Sequence, residues 1–433
     1  LEVWVLWAQY ARGSGSSEEI ARIAREGVES LGSLKWDFLP MAIELLFQAN
    51  QREAAAQYME MLREKEMFPA FLAYFDGINA SLQNQDYQAI QSWQKALQLG
   101  NTSAPLRLQL ADTLERVGNL PDALQQLRTL AADQPDSYLA RWRYAQMLTR
   151  AGKWSEAAEQ VQAAQQLNPA GLDAALLNIQ IKMQLLQQSD LKPDDPQWQT
   201  LANQMKQLRQ AAPDSLPVKL ADFQLALLLQ QKERAEQIMA DLNKSDPDSI
   251  QVSMAQISLL EEQGRSEEIE PALRAILQKH PQTLTPVKVL ATYLLGRGQT
   301  ADGEKVIQEA RQRITAPQAQ RELGLLLADW YRSQGQNDQS LAVLEALSSQ
   351  FPQDISILRQ LLNHPQIRQN DSRCRELVDS IQKEEGQSGW QWRYEQARLW
   401  LDSQDFSAQY AATVSLLKEN LQARPDDNAS RIL

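Results

Sequence analysis

The chain has 433 residues, 43% of them apolar and 23% charged, and 55 acidic against 43 basic side chains leave a net charge of −12. A single cysteine excludes a disulfide framework and every multi-cysteine metal site, and an acidic balance with a pI near 4.9 argues against nonspecific binding to nucleic acid or anionic membranes, which need a basic footprint. No apolar run reaches the ~18 residues that span a bilayer, so no direct membrane insertion is expected within this segment.

The opening Leu1–Trp7 is apolar but short, and it lacks a basic leader and a small-residue cleavage site. It reads as the start of a helix, with Trp4 and Trp7 on the core-facing phase. Further along, Leu110, Ala111 and Leu114 share one helical face, followed by Gly118, then Ala123, Leu127 and Leu130, then Pro135. Thirty-four residues later the order repeats as Tyr144, Ala145 and Leu148, then Gly152, then Ala157, Val161 and Ala164, then Pro169. With the small or apolar packing residue as marker, the series runs Ala8, Ala42, Gly77, Ala111, Ala145, Ile179, Phe223, Ile257, Ala291, Ala328, Leu362 and Ala397. Its steps are 34 or 35 residues, except for 44 after Ile179 and 37 after Ala291.

Seven residues past the marker stands Gly15, Gly118, Gly152, Gly264, Gly298 or Gly335, with Asn84 in the third unit. A glycine at one fixed offset marks a helix end that turns left-handed to reverse the chain. Prolines such as Pro135, Pro169, Pro213, Pro247 and Pro281 close the second helix. Alternating β-branched runs bounded by hairpin dipeptides are missing. The spacing therefore predicts an all-α chain of stacked antiparallel helix pairs, each burying its faces only against its neighbours.

Residues 1–187 hold units one to five and the first helix of unit six. Residues 188–196 form a polar Pro/Asp loop inserted between the two helices of that unit, either a tolerated surface insertion or a contact loop. Residues 197–351 carry the middle units. Residues 352–389 form a degenerate unit whose first helix is cut short at His364-Pro365. Residues 390–433 carry a C-terminal unit and, from Asn428, the start of a truncated further helix. The missing initiator Met and the apolar first helix lead us to expect a parent protein that continues past both ends.

Chemistry-bearing patterns are sparse, and neither catalytic nor metal-ligating residues nor a cofactor are expected. HExxH, GxxxxGK[ST] and GxSxG are absent, as is GxGxxG after a strand. His280 and His364 each precede a proline and are expected at helix ends, facing carbonyls or solvent. Cys374 falls on the small position of a second helix, where it serves as a small hydrophobe. The acids from Glu261 to Glu270 span a turn and suit the next helix's dipole, and they lack the spacing of a calcium loop. Trp93 falls on the core face. Trp142, between Arg141 and Arg143, either anchors a peptide or wedges between units. Trp390, Trp392, Tyr394 and Trp400 cannot all share one helical stripe.

The register resembles the tetratricopeptide repeat, W-x₂-L-G-x₂-Y then A-x₃-F then P, although the first position is Arg107 in one unit and Arg141 in the next. The 34-residue step and the acidic balance separate it from the RNA-reading pentatricopeptide repeat. The resemblance implies a right-handed α-solenoid superhelix and a non-catalytic scaffold that binds a protein or peptide, not nucleic acid, in its concave groove. The groove positions it implies are Asp112, Glu115, Arg116, Trp142, Gln146, Thr149, Arg150, Gln180 and Gln184. The chaperone-tail class clamps a carboxylate with Lys, Asn and Arg; Asp112, Gln146 and Gln180 stand at the corresponding places and disfavour it. The alternative reading is a regulatory or targeting arm of a larger enzyme or of a bacterial envelope secretion or assembly protein. The expected setting is bacterial cytoplasm or periplasm, with any targeting signal outside this chain. The sequence sets no oligomeric state.

Overall fold

A computed structural model describes residues 1–387, 389–403, 405–424 and 427–433. Among them the regular elements are helices, and they pair in chain order. The first four hairpins are α1 (Glu2–Ser14) with α2 (Ser17–Ser30), α3 (Lys35–Gln48) with α4 (Arg52–Glu64), α5 (Pro69–Leu82) with α6 (Asp86–Gln98), and α7 (Ala104–Arg116) with α8 (Leu120–Asp133). The next four are α9 (Tyr138–Arg150) with α10 (Trp154–Leu167), α11 (Leu172–Gln188) with α12 (Pro196–Ala211), α13 (Leu216–Leu228) with α14 (Lys232–Ser245), and α15 (Ile250–Glu262) with α16 (Ser266–Lys279). Then come α17 (Leu284–Gly296) with α18 (Thr300–Arg313) and α19 (Pro317–Ser333) with α20 (Asn337–Gln350). In the eleventh hairpin the first helix is split into α21 (Ile355–Leu362) and α22 (Pro365–Arg368), ahead of α23 (Asp371–Glu385). Helices α24 (Trp390–Leu401) and α25 (Phe406–Ala423) make the twelfth, and α26 (Asn428–Ile432) follows. Two compact units emerge, Leu1–Leu130 and Ala131–Leu433.

Each hairpin forms for a local reason. All twelve marker residues lie on first helices and all are buried. Twelve residues on, Ile20, Ala89, Ala123, Ala157, Ala235, Ile269, Ser340 and Cys374 are buried on the facing second helices. These small or apolar positions are where the two helices of a pair close on one another. Ser340 hides its hydroxyl there by donating to the Ala328 carbonyl at 2.9 Å. The left-handed turn appears at Gly118, Gly152, Gly264, Gly298 and Gly335, with φ between 69° and 79°, and at Asn84 with φ 59°. Gly15 is the exception: its φ of −80° is extended, because its N–H still bonds the Ala11 carbonyl and the chain runs straight into the Ser16 cap.

Two other expectations change, while His280 keeps its expected place at a helix end. Trp7 is 50% exposed, not buried, since α1 packs on α2 and α3 and its remaining face, with Val3, Leu6 and Tyr10, stays open among the described residues. His364 is only 3% exposed, and neither ring nitrogen has a hydrogen-bond partner. The break after Leu362 folds the imidazole inward at the start of α22 instead of leaving it at a solvated helix end. His280, half-buried, likewise keeps an unpartnered Nε2.

Missing side chains set the closest approaches. A Cβ on Gly77 of α5 would stand 2.3 Å from the indole nitrogen of fully buried Trp93 on α6. A Cβ on Gly27 of α2 would meet Phe38 of α3 at 2.4 Å, and one on Gly303 of α18 would meet Trp330 of α19 at 2.2 Å. Within each unit the array is thus a series of fitted pairs, not a stack of identical parts.

Candidate inner-face cavity

In the second unit, successive first helices touch one another, α9 with α11, α11 with α13 and α13 with α15, so their outward stripes lie side by side. Together they line a cavity of about 910 Å³. Helix α11 contributes Gln180, Met183, Gln184 and Gln187; α13 contributes Leu220, Phe223, Gln224, Leu227 and Leu228; α15 contributes Ile250, Gln251, Met254, Ala255 and Ser258. Spacings of three, four and seven place each set on one helical face. Thr149 of α9, Trp154 of α10, and Thr283 and Thr285 at the start of α17 complete the wall. Met183 and Phe223 form a buried floor, while Gln180, Gln187, Gln224, Gln251 and Ser258 are exposed at the rim.

None of these eighteen residues is charged. Lys182, Lys219 and Asp222, charged residues of α11 and α13, engage their second helices instead. Lys182 donates to Gln204 of α12 at 3.1 Å, and nearly buried Lys219 reaches Ser245 and Asp241 of α14, each at 3.2 Å. Asp222 pairs with Arg234 of α14. Burial pushes its carboxyl above the usual carboxylate range, against the opposing pull of Arg234 and Arg209.

Of the positions named from the sequence, Thr149, Gln180 and Gln184 line this cavity. Trp142 and Gln146 sit on the same face of α9 as Thr149 but outside the lining, and both are half-buried. The Trp142 ring stacks parallel on Tyr138, with centroids 6.4 Å apart, and its indole N–H is enclosed without a partner. Arg150 is exposed at the end of α9, and Arg141 turns to Gln160 of α10 at 2.7 Å. Asp112, Glu115 and Arg116 belong to α7, in the other unit. There Arg116 is held by Asp86 at 2.7 Å, by the Ser81 hydroxyl at 3.3 Å and by Thr113 at 3.0 Å.

The groove positions expected from the sequence end at Gln184 and so leave out α13 and α15, which supply most of the lining. The signal was present one residue after each marker: Gln146, Gln180, Gln224, Ser258 and Thr292 are all uncharged, bounded by Asp112 before and Asp329 after. The first unit has a smaller cavity, about 590 Å³, of a different kind. Phe47, Phe71, Tyr74 and Phe75 pack there with ring centroids 4.5 to 5.1 Å apart, beside the Arg12–Glu44 ion pair.

Another polar cluster joins α21, α24 and Arg424. The Glu395 carboxylate is fully buried between Arg359 and Arg398, each at 2.8 Å, and Trp390 lies between the guanidinium groups of Arg359 and Arg424. No three His, Cys, Asp or Glu side chains among the described residues are grouped to hold a metal, and no described helix is long and apolar enough to cross a membrane.

No curated protein sequence matches the chain. Among solved structures it is similar to a tetratricopeptide repeat protein from Parabacteroides merdae, at 15% identity over 56% of this chain and 91% of that one, with a TM-score of 0.35. A thermophilic TPR protein of Thermus thermophilus is 18% identical over 45% of this chain and 100% of its own, with a TM-score of 0.40. Yeast Tom70 is 12% identical over 91% and 97%, with a TM-score of 0.39. Models of the tetratricopeptide repeat match residues 108–171 and 322–354, the first spanning Ala111, Ala145 and their left-handed glycines, the second Ala328 and Gly335. Residues 108–171 and 322–354 are thus tetratricopeptide repeats, and the same register is buried in hairpin after hairpin along the described chain.

Proposed function

We propose that the protein is a non-catalytic scaffold that holds a polypeptide partner on the inner faces of α9, α11, α13 and α15. The observation that supports this is the convergence of stripes from four consecutive hairpins on one open cavity, with Lys182, Lys219 and Asp222 engaged behind it. Thr149, Gln180 and Gln184 touch the partner in this reading, and Trp142 caps one end of the contact as a rigid aromatic anchor. An uncharged wall on a chain of net charge −12 favours a polypeptide over a polyanion.

The test is capture of partners from the source cell on wild-type chain and on a variant carrying both Gln224→Arg and Ser258→Arg. Both positions are exposed, so the two arginines fill the cavity without disturbing the core. The expected result is loss of the principal partner at an unchanged melting temperature, with Trp142→Ala also weakening capture more than Arg150→Ala does. Equal recovery on wild type and the double variant refutes the reading.

A further inference from the structure

We infer that the occupant of the α9–α15 cavity is an amphipathic helix of the partner whose contacting face carries no charge. This rests on the groove reading above and deepens it. In a chain that is 23% charged, eighteen lining residues include no acid and no base. A charge laid against this wall is stripped of water and meets no counter-ion. The exposed rim of Gln180, Gln187, Gln224, Gln251 and Ser258 consists of amides and a hydroxyl, which both donate and accept and so prefer neither sign.

The floor decides between helix and extended chain. Met183, Leu220, Phe223, Leu227 and Met254 offer no hydrogen-bonding side chain except a weak thioether acceptor. An extended segment pressed onto them leaves backbone N–H and C=O groups unpaired, whereas a helix brings its own partners. A helix ~10 Å across would fill the 910 Å³ cavity with about 12 Å of its length, roughly eight residues or two turns. Two turns present one stripe of apolar residues at i, i+3, i+4 and i+7, matching a floor built on the same spacing. The two methionines adapt to the side chains that arrive.

The experiment uses the full chain and a displayed library of helical peptides about 16 residues long, with four guest positions at i, i+3, i+4 and i+7 randomised. Capture on the Gln224→Arg/Ser258→Arg variant serves as the counter-screen. Winners selected on wild type should carry Leu, Met or Phe at the guest positions. Their affinity should change less than about twofold between low and high salt, since no ion pair is there to screen. A single Lys or Glu at a guest position should weaken binding at least about tenfold, and a central proline should abolish it. Charged guest residues among the winners, a strong salt dependence, or tolerance of the proline each overturns the uncharged-helix inference, while loss of binding to the double variant still upholds the cavity as the site. Peptides that bind the double variant as well as wild type overturn both.

Discussion

Replacing Gly77 by alanine adds one methyl group at the tightest point of the third hairpin. The new Cβ would stand 2.3 Å from Trp93 Nε1 and 2.4 Å from its Cδ1, whereas non-bonded heavy atoms settle at ~3.5–4.0 Å, so the ring must retreat by more than about 1 Å. Trp93 is sealed at 0% exposure, and its indole N–H donates to the Tyr74 carbonyl at 3.0 Å. Retreat therefore both overpacks the far side, at about 1–3 kcal/mol, and strands a buried donor, at about 1–3 kcal/mol. Alanine's better helix propensity returns about 1 kcal/mol. The net expectation is a loss of about 1–5 kcal/mol. Urea unfolding gives the magnitude, and hydrogen exchange gives the place, because nearest-neighbour coupling should confine the lost protection mainly to α5, α6 and the adjoining hairpins. Gly296→Ala is the control: its Cβ meets nothing within 4 Å, so it should be neutral or stabilising by up to about 1 kcal/mol. A Gly77→Ala protein as stable as wild type would refute the close-approach argument, because it would mean that Trp93 has room to move.

Ala157→Leu forces three extra carbon atoms into a fully buried contact between α9 and α10 and should cost about 1–3 kcal/mol, read as a lower urea midpoint. Arg359→Leu leaves the fully buried Glu395 with Arg398 alone and should destabilise the last two hairpins by about 3–5 kcal/mol, measured by hydrogen exchange in α21 and α24. Cys374 is 1% exposed, donates to the Ile367 carbonyl at 3.2 Å and has its thiol pushed up by burial, Asp371 and Asp402 adding to that and Arg368 opposing it; an aromatic disulfide reagent should leave it unmodified in the native chain and label it fully in urea. Burial raises the native pKa of Asp222 above its unfolded value, so the native state holds this proton to higher pH than the unfolded chain. Its stabilising contribution is complete below the unfolded pKa and fades as pH rises through the native one, and Asp222→Asn should remove that slope from stability curves taken between acid and neutral pH.

The hairpin register was legible because its signals are local and repeated. A marker such as Ala145 and a reversal such as Gly152 each answer to one steric demand, and that demand recurs in hairpin after hairpin. What a period cannot say is which neighbour covers a face, and Trp7 shows this: it has the right phase for a core residue yet stands open. The site was harder to read because its chemistry is an omission. Gln224 and Ser258 are unremarkable one at a time, and they acquire meaning only when the fold sets them beside Gln180 and removes Lys219 and Asp222 to the far side. Trp142, conspicuous in the sequence, takes its place against Tyr138.

The vacancies opposite Phe38 and Trp330 also bear on how an array of near-repeats keeps its order. Chains of interchangeable modules can pair out of step, one module sliding into its neighbour's berth or trading places with the same module of another molecule. Here the berths are keyed. The hollow at Gly27 of α2 receives the ring that α3 presents, and the hollow at Gly303 of α18 receives the indole of α19. A hairpin offering alanine in either place would be refused by van der Waals contact alone. The irregularity that blurs the repeat in the sequence thus doubles as an address system, and transplanting a hairpin to another position should fail first at these two seams.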